Sequence, residues 1–261
     1  MNILEKIIAH KEEEVEAQSK IIPLERLQKS QRLFAVRDFK KAMEGGEDIR
    51  IIAEIKRQSP SEKNIYPNAD PAEVAKSYQL NGAAALSVLT DSHFFGGHLD
   101  FVQQVKTVVD LPVLRKDFII SKYQVWESFH EGADAILLIA DAIDFSLLSA
   151  LYNLASELGM HVLIETHSLE HLDNISSLNP QIVGINCRNL QTMETDLSWF
   201  ESVYSKLPAD CVKVAESGIK TNDDLKNISH LGYDAVLVGT SLMKTGSPGA
   251  ALAALLQRVP A

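Results

Sequence analysis

Eight short aliphatic and β-branched runs recur along the chain, at 51–55, 84–89, 112–114, 135–139, 161–164, 182–185, 212–215 and 235–238. Helix-period segments lie between them, for example at 71–80, 123–130, 145–158, 223–231 and 249–259. Several of these run into a glycine placed to cap a helix just before the next strand: Gly82, Gly132, Gly159 and Gly232. A strand reaches a parallel neighbour only by a long crossover, so this order predicts an α/β chain with a parallel sheet. Eight such units in 261 residues predict a closed (β/α)8 TIM barrel. An open doubly wound sheet has the same periodicity and stays as the alternative. No Pro/Gly/Ser-rich linker interrupts the pattern, which predicts a single domain, with an amino-terminal helical extension over about 1–48 and the barrel over about 49–261. In that extension Ile3, Leu4, Ile7, Ile8 and Val15 recur among charges, the signature of an amphipathic helix with something apolar to cover.

Charge and hydropathy narrow the function classes. A net charge of −10 argues against a general nucleic-acid or anionic-membrane surface and requires any anionic substrate to be held by a local cluster of positive groups. The longest apolar runs are too short to cross a bilayer, and the charged start lacks a signal-peptide core, so a cytoplasmic protein is expected. Cys187 and Cys211 lack metal-ligand spacing and read as free thiols of a reducing compartment. His93, His98, His161 and His167 also lack ligand spacing and are given no functional role. The run Lys11-Glu12-Glu13-Glu14 reads as a solvated helix face.

A barrel places its chemistry where strands end. Glu54 and Lys56, two residues apart, share one side of the first strand and cannot belong to an apolar layer there. Lys116, Glu165, Asn186 and Glu216 sit at the ends of the third, fifth, sixth and seventh strands. A strand-end charge taken singly is usually a structural ion pair or a solvated group; polar groups from five strands aimed at one mouth read as a shared catalytic site. After the seventh and eighth strands, Ser217-Gly218 and Gly239-Thr240 begin loops of the kind that cradle phosphate on this fold. Phe95 and Phe118 bring aromatic surface to the same rim, suited to a flat apolar ring, whereas Phe94 reads as packing under the loops.

The segments 52–57 (IAEIKR), 59–61 (SPS), 114–118 (LRKDF), 185–190 (INCRNL) and 215–219 (AESGI) resemble the indole-3-glycerol phosphate synthase family of tryptophan biosynthesis, over nearly the whole chain. The resemblance implies a carboxy-lyase that closes the ring of 1-(2-carboxyphenylamino)-1-deoxyribulose 5-phosphate and releases carbon dioxide and water, with no cofactor or metal. It implies Lys116 as the general acid, Glu165 as a proton carrier in the dehydration, and Lys56 as a cation for the substrate's anionic end. Glu54, Asn186 and Glu216 would orient these groups. Ser217, Gly218, Gly239 and Thr240 would hold the phosphate, Arg188 would stand at the rim, and Ser59, Pro60, Phe95, Phe118 and Leu190 would line the aryl pocket. One departure stands out: Glu62-Lys63 replaces the frequent Lys-Gly of the first loop, reversing a charge that Lys63 is positioned to offset. Two other enzyme classes share much of this residue set: a sugar-phosphate isomerase, and a lyase forming a Schiff base through Lys56 or Lys116. A non-catalytic partner-binding barrel is disfavoured by the presence of both lysines and all the strand-end carboxylates.

Overall fold

The computed structural model of the chain describes residues 2–45, 48–189 and 192–260. Eight parallel strands close in sequence order into a barrel: β1 (Arg50–Ile55), β2 (Ala85–Leu89), β3 (Val113–Lys116), β4 (Ala135–Ile139), β5 (His161–Thr166), β6 (Ile182–Asn186), β7 (Val212–Glu216) and β8 (Ala235–Val238). Closure by β1 against β8, with Ile51 opposite Val236, excludes the open sheet. The strands at β3, β5, β6 and β7 run further than their apolar runs and take in Lys116, Glu165, Asn186 and Glu216 themselves. These polar groups are paired inside the structure, so the ladder continues through them.

The helices between strands start where side chains supply caps. Asp70 accepts from Ala72 and Glu73 at the start of Pro71–Leu80, Ser121 caps Lys122–Glu131, and Asp144 caps Phe145–Glu157. Gly82, Gly132, Gly159 and Gly232 all adopt positive φ, as the cap reading requires. Helices at Phe101–Val108, Leu172–Ser177, Ser198–Tyr204, Asn222–His230 and Pro248–Leu255 complete the outer layer. Outward-facing strand residues such as Ala53, Val88, Ile136, Ile164 and Val236 pack against these helices in one buried cluster. Inside the barrel, Ile52, Leu114, Leu137, Leu163 and Val214 form a second cluster.

The amino-terminal segment meets both ends of the barrel. Its helices are α1 (Ile3–Ile21), α2 (Leu24–Lys29) and α3 (Phe39–Met43). Phe39 and Met43 of α3 are fully buried against Ala85, Ala135, Ile182, Val212 and Ala235, each the first residue of its strand, so α3 plugs the amino-terminal end. Helix α1 lies instead at the opposite rim. Among the described residues no helix is long and apolar enough to cross a membrane.

The placement of α1 corrects one expectation. Lys11 is not solvated: its side chain is 1% exposed, with Nζ 3.0 Å from Asp91 Oδ2, 3.0 Å from Asp117 Oδ1 and 2.8 Å from Glu14 Oε2. Asp91 and Asp117 follow β2 and β3, and a charge in a Glu-rich run is indistinguishable by local pattern from one aimed at distant carboxylates. The cluster extends further, since Arg115 donates to Asp117, Glu127 and Thr90, and Thr90 donates to Asp117.

Candidate active site

A cavity of about 510 Å³ opens at the carboxyl ends of the strands. That volume lies within the range of small-molecule sites. At its centre, Lys116 Nζ stands 2.7 Å from Glu165 Oε2 and 2.6 Å from Glu216 Oε2. Lys56 Nζ pairs with Glu54 Oε1 at 2.5 Å. Asn186 Nδ2 donates to Glu165 Oε1 at 3.0 Å and leaves its own Oδ1 to accept the Arg188 backbone N–H at 3.0 Å. The Arg188 guanidinium donates to the Met193 carbonyl in the segment after β6.

Electrostatics divide the two carboxylates beside Lys116. Burial alone would lower the ammonium, but the charges of Glu165, Glu216 and Glu54 hold it well above the ordinary lysine range. Burial would likewise raise Glu165, yet Lys116 and His167 bring its carboxyl down to about 2. Glu216 moves the other way: burial and the charge of Glu165 push it well above the usual carboxylate range. Two neighbouring acids thus share one cation while their environments push their carboxyls in opposite directions.

Two glycines make room for these acids. A Cβ on Gly184 of β6 would overlap Glu216 Oε1, and a Cβ on Gly239 would overlap Glu54 Oε1. Gly239, at the start of one of the expected phosphate loops, has the Glu54 side chain as its immediate neighbour. At the adjoining loop, Ser217 and Gly218 both have φ of 75°, so a non-glycine residue is held in the left-handed region at the cavity wall. No side chain caps the turn Thr240–Met243 that begins after Gly239.

A family model described as indole-3-glycerol phosphate synthase matches residues 4–255. The chain belongs to the indole-3-glycerol phosphate synthase family. A relative of that name from Geobacillus sp. (strain WCH70) is 42% identical over 258 residues, covering 98% of each chain. Another, from Legionella pneumophila (strain Paris), is 43% identical over 255 residues, again covering 98% of each. Among solved structures, 3-hexulose-6-phosphate synthase from Salmonella typhimurium shares the fold with a TM-score of 0.63 at 13% identity, over 81% of this chain and 100% of that one. Thiamine phosphate pyrophosphorylase from Pyrococcus furiosus does so at 0.60 and 13%, over 80% and 94%.

For this member of the indole-3-glycerol phosphate synthase family, the cavity collects nearly every residue singled out in the sequence. Glu54, Lys56, Lys116, Glu165, Asn186 and Glu216 line it, as do Ser59, Pro60, Phe95, Phe118, Arg188, Ser217, Gly218, Gly239 and Thr240. Leu190 lies outside the described residues. Phe95 and Phe118 face each other with ring centroids 5.9 Å apart. Phe94 does not line the cavity, and packs edge-on against His10 of α1.

Other lining residues were missed. Ile3, Leu4 and Ile7 bring α1 into the wall, which answers what its apolar stripe covers. Lys220 and Lys244 enter from the loops after β7 and β8, supplying the positive charge that an acidic chain needs locally. Lys244 also pairs with Glu62 at 2.6 Å, so the reversed charge of the first loop is met by Lys244, while Lys63 is exposed and lies off the cavity. His167, read as incidental, follows β5 directly and lines the site. Its place two residues beyond Glu165 on the strand path was the available signal.

Proposed function

We propose that the chain is an indole-3-glycerol phosphate synthase, converting 1-(2-carboxyphenylamino)-1-deoxyribulose 5-phosphate to indole-3-glycerol phosphate. The observation that carries this reading is Lys116 held between Glu165 and Glu216 in a cavity that also contains an aromatic pair and the loops after β7 and β8.

In this reading the aryl ring lies against Phe95, Phe118 and Pro60, and Lys56 meets the ring carboxylate. Ser217, Gly218, Gly239 and Thr240 hold the phosphate, with Lys220 and Lys244 neutralising its charge. Held protonated by its carboxylate neighbours, Lys116 donates to the ribulose carbonyl oxygen as the ring carbon attacks, and its positive charge also stabilises the developing alkoxide. Glu165 is ionised and restrained by Asn186, which suits it to exchange protons in the later dehydration. The same electrostatics argue against a Schiff base at Lys116, since an amine kept charged is a poor nucleophile. A sugar-phosphate isomerase has no use for the facing aromatic rings.

Incubating the purified protein with the carboxyphenylamino substrate should produce indole fluorescence at a rate proportional to protein concentration. Absence of product from folded protein overturns the assignment.

A further inference from the structure

His167 does more than fill the wall. Its Nε2 lies 3.4 Å from Glu165 Oε1 and its Nδ1 lies 3.5 Å from Asp141 Oδ2, while Asp141 Oδ1 lies 3.7 Å from His171 Nε2. Side-chain exposure rises along this series, from 4% at Glu165 to 11%, 16% and 33% at His171. Both His167 ring nitrogens are buried without an aligned hydrogen bond, a costly arrangement for a group with no task. The Asp141 carboxylate is itself oriented, accepting the His167 backbone N–H at 2.9 Å.

Stoichiometry supplies the task, and this step rests on the proposed reaction. The ring carbon bearing the carboxylate bonds to the ribulose carbonyl carbon, whose oxygen takes one proton. The carboxylate departs as carbon dioxide and leaves its bonding pair to the ring. The new hydroxyl takes a second proton and leaves as water, and the methylene carbon beside the nitrogen returns one proton. Each turnover therefore draws one net proton from solvent into a site whose acids are almost fully buried.

We propose that Glu165, His167, Asp141 and His171 form a proton path that reloads the catalytic cluster from the surface. Imidazole suits the middle position because it can accept a proton on one nitrogen and release one from the other. Among the described residues, the ionisable groups recorded against His167 are Glu165 and Asp141. His171 joins through Asp141, and Lys116 joins through Glu165, with Glu216 on its far side. His167 acts on the substrate through Glu165 and is in that sense a positioning and relay residue.

The test compares wild type, His167→Asn and His171→Asn in dilute buffer at fixed ionic strength, with rates read by product fluorescence. His167→Asn should lower kcat roughly tenfold or more with KM nearly unchanged, and added imidazole buffer should restore the rate in proportion to its concentration. His171→Asn, at a more exposed position, should show a smaller loss with the same rescue, which keeps the test informative if His167→Asn folds poorly. Wild type should be indifferent to buffer concentration. Undiminished rates in both variants, or losses that buffer does not restore, overturn the path and leave His167 a packing residue. An active wild type with such variants overturns only the path, whereas an inactive wild type overturns the proposed reaction with it.

Discussion

Replacing Lys11 by Met tests what holds α1 over the site. Methionine keeps an unbranched apolar stem and removes the charge, leaving Asp91 and Asp117, which are 0% and 1% exposed, without their shared cation. Breaking one side of a buried pair costs about 3–5 kcal/mol. The opposing term is small: besides Lys11, only Ile7 of α1 is fully buried, worth about 1.5–3 kcal/mol. The charge penalty therefore wins, and α1 should leave the rim while the barrel stays folded. Loss of the Ile3, Leu4 and Ile7 wall by even about 1.4 kcal/mol of contact raises KM about tenfold. Hydrogen exchange should show α1 losing protection while the strands keep theirs, and fluorescence kinetics should show the KM rise with a smaller change in kcat. Undisturbed α1 protection together with a KM within about twofold of wild type would mean that Lys11 does not hold α1 at the rim. The tether is also acid-sensitive. Burial would raise the Asp117 carboxyl, but Arg115 and Lys11 lower it to about 2. A depressed folded-state pKa stabilises above the unfolded value of ~3.9, here by about 2–3 kcal/mol, and that contribution disappears as pH falls through about 2.

Lys116→Ala should reduce kcat by at least about 10²-fold with little change in KM, because proton donation to the carbonyl oxygen strengthens mainly in the transition state; near-normal turnover with weak binding would reassign the acid. Gly239→Ala should lower kcat as well as raise KM, since the new Cβ displaces Glu54 from Lys56; a change in KM alone would mean that the position serves only the phosphate. Glu62→Ala should release Lys244 and lower KM, along with the inhibition constant of inorganic phosphate, by at most about fivefold, since an exposed pair is worth about 0–1 kcal/mol. That gain should fade in high salt, and an unchanged KM at low salt would remove Lys244 from the phosphate site.

The barrel and the level at which its chemistry lies were legible from the order of residues alone. Periodicity, glycine caps and short apolar runs are local signals, and polar residues that finish apolar strands mark the same rim whatever the register. Glu54, Lys116, Glu165, Asn186 and Glu216 were legible for that reason. Helix α1 was visible as an amphipathic helix, but which surface it covered was not. The packed chain adds the burial of Lys11 between Asp91 and Asp117, the bridging of Glu165 and Asp141 by His167, the Lys244–Glu62 pair, and the glutamates that leave Gly184 and Gly239 no room for a side chain. Each of these depends on groups brought together from different strands or loops. A lysine in a run of glutamates has one local pattern whether water or two buried carboxylates surround it, and barrel closure chooses between them.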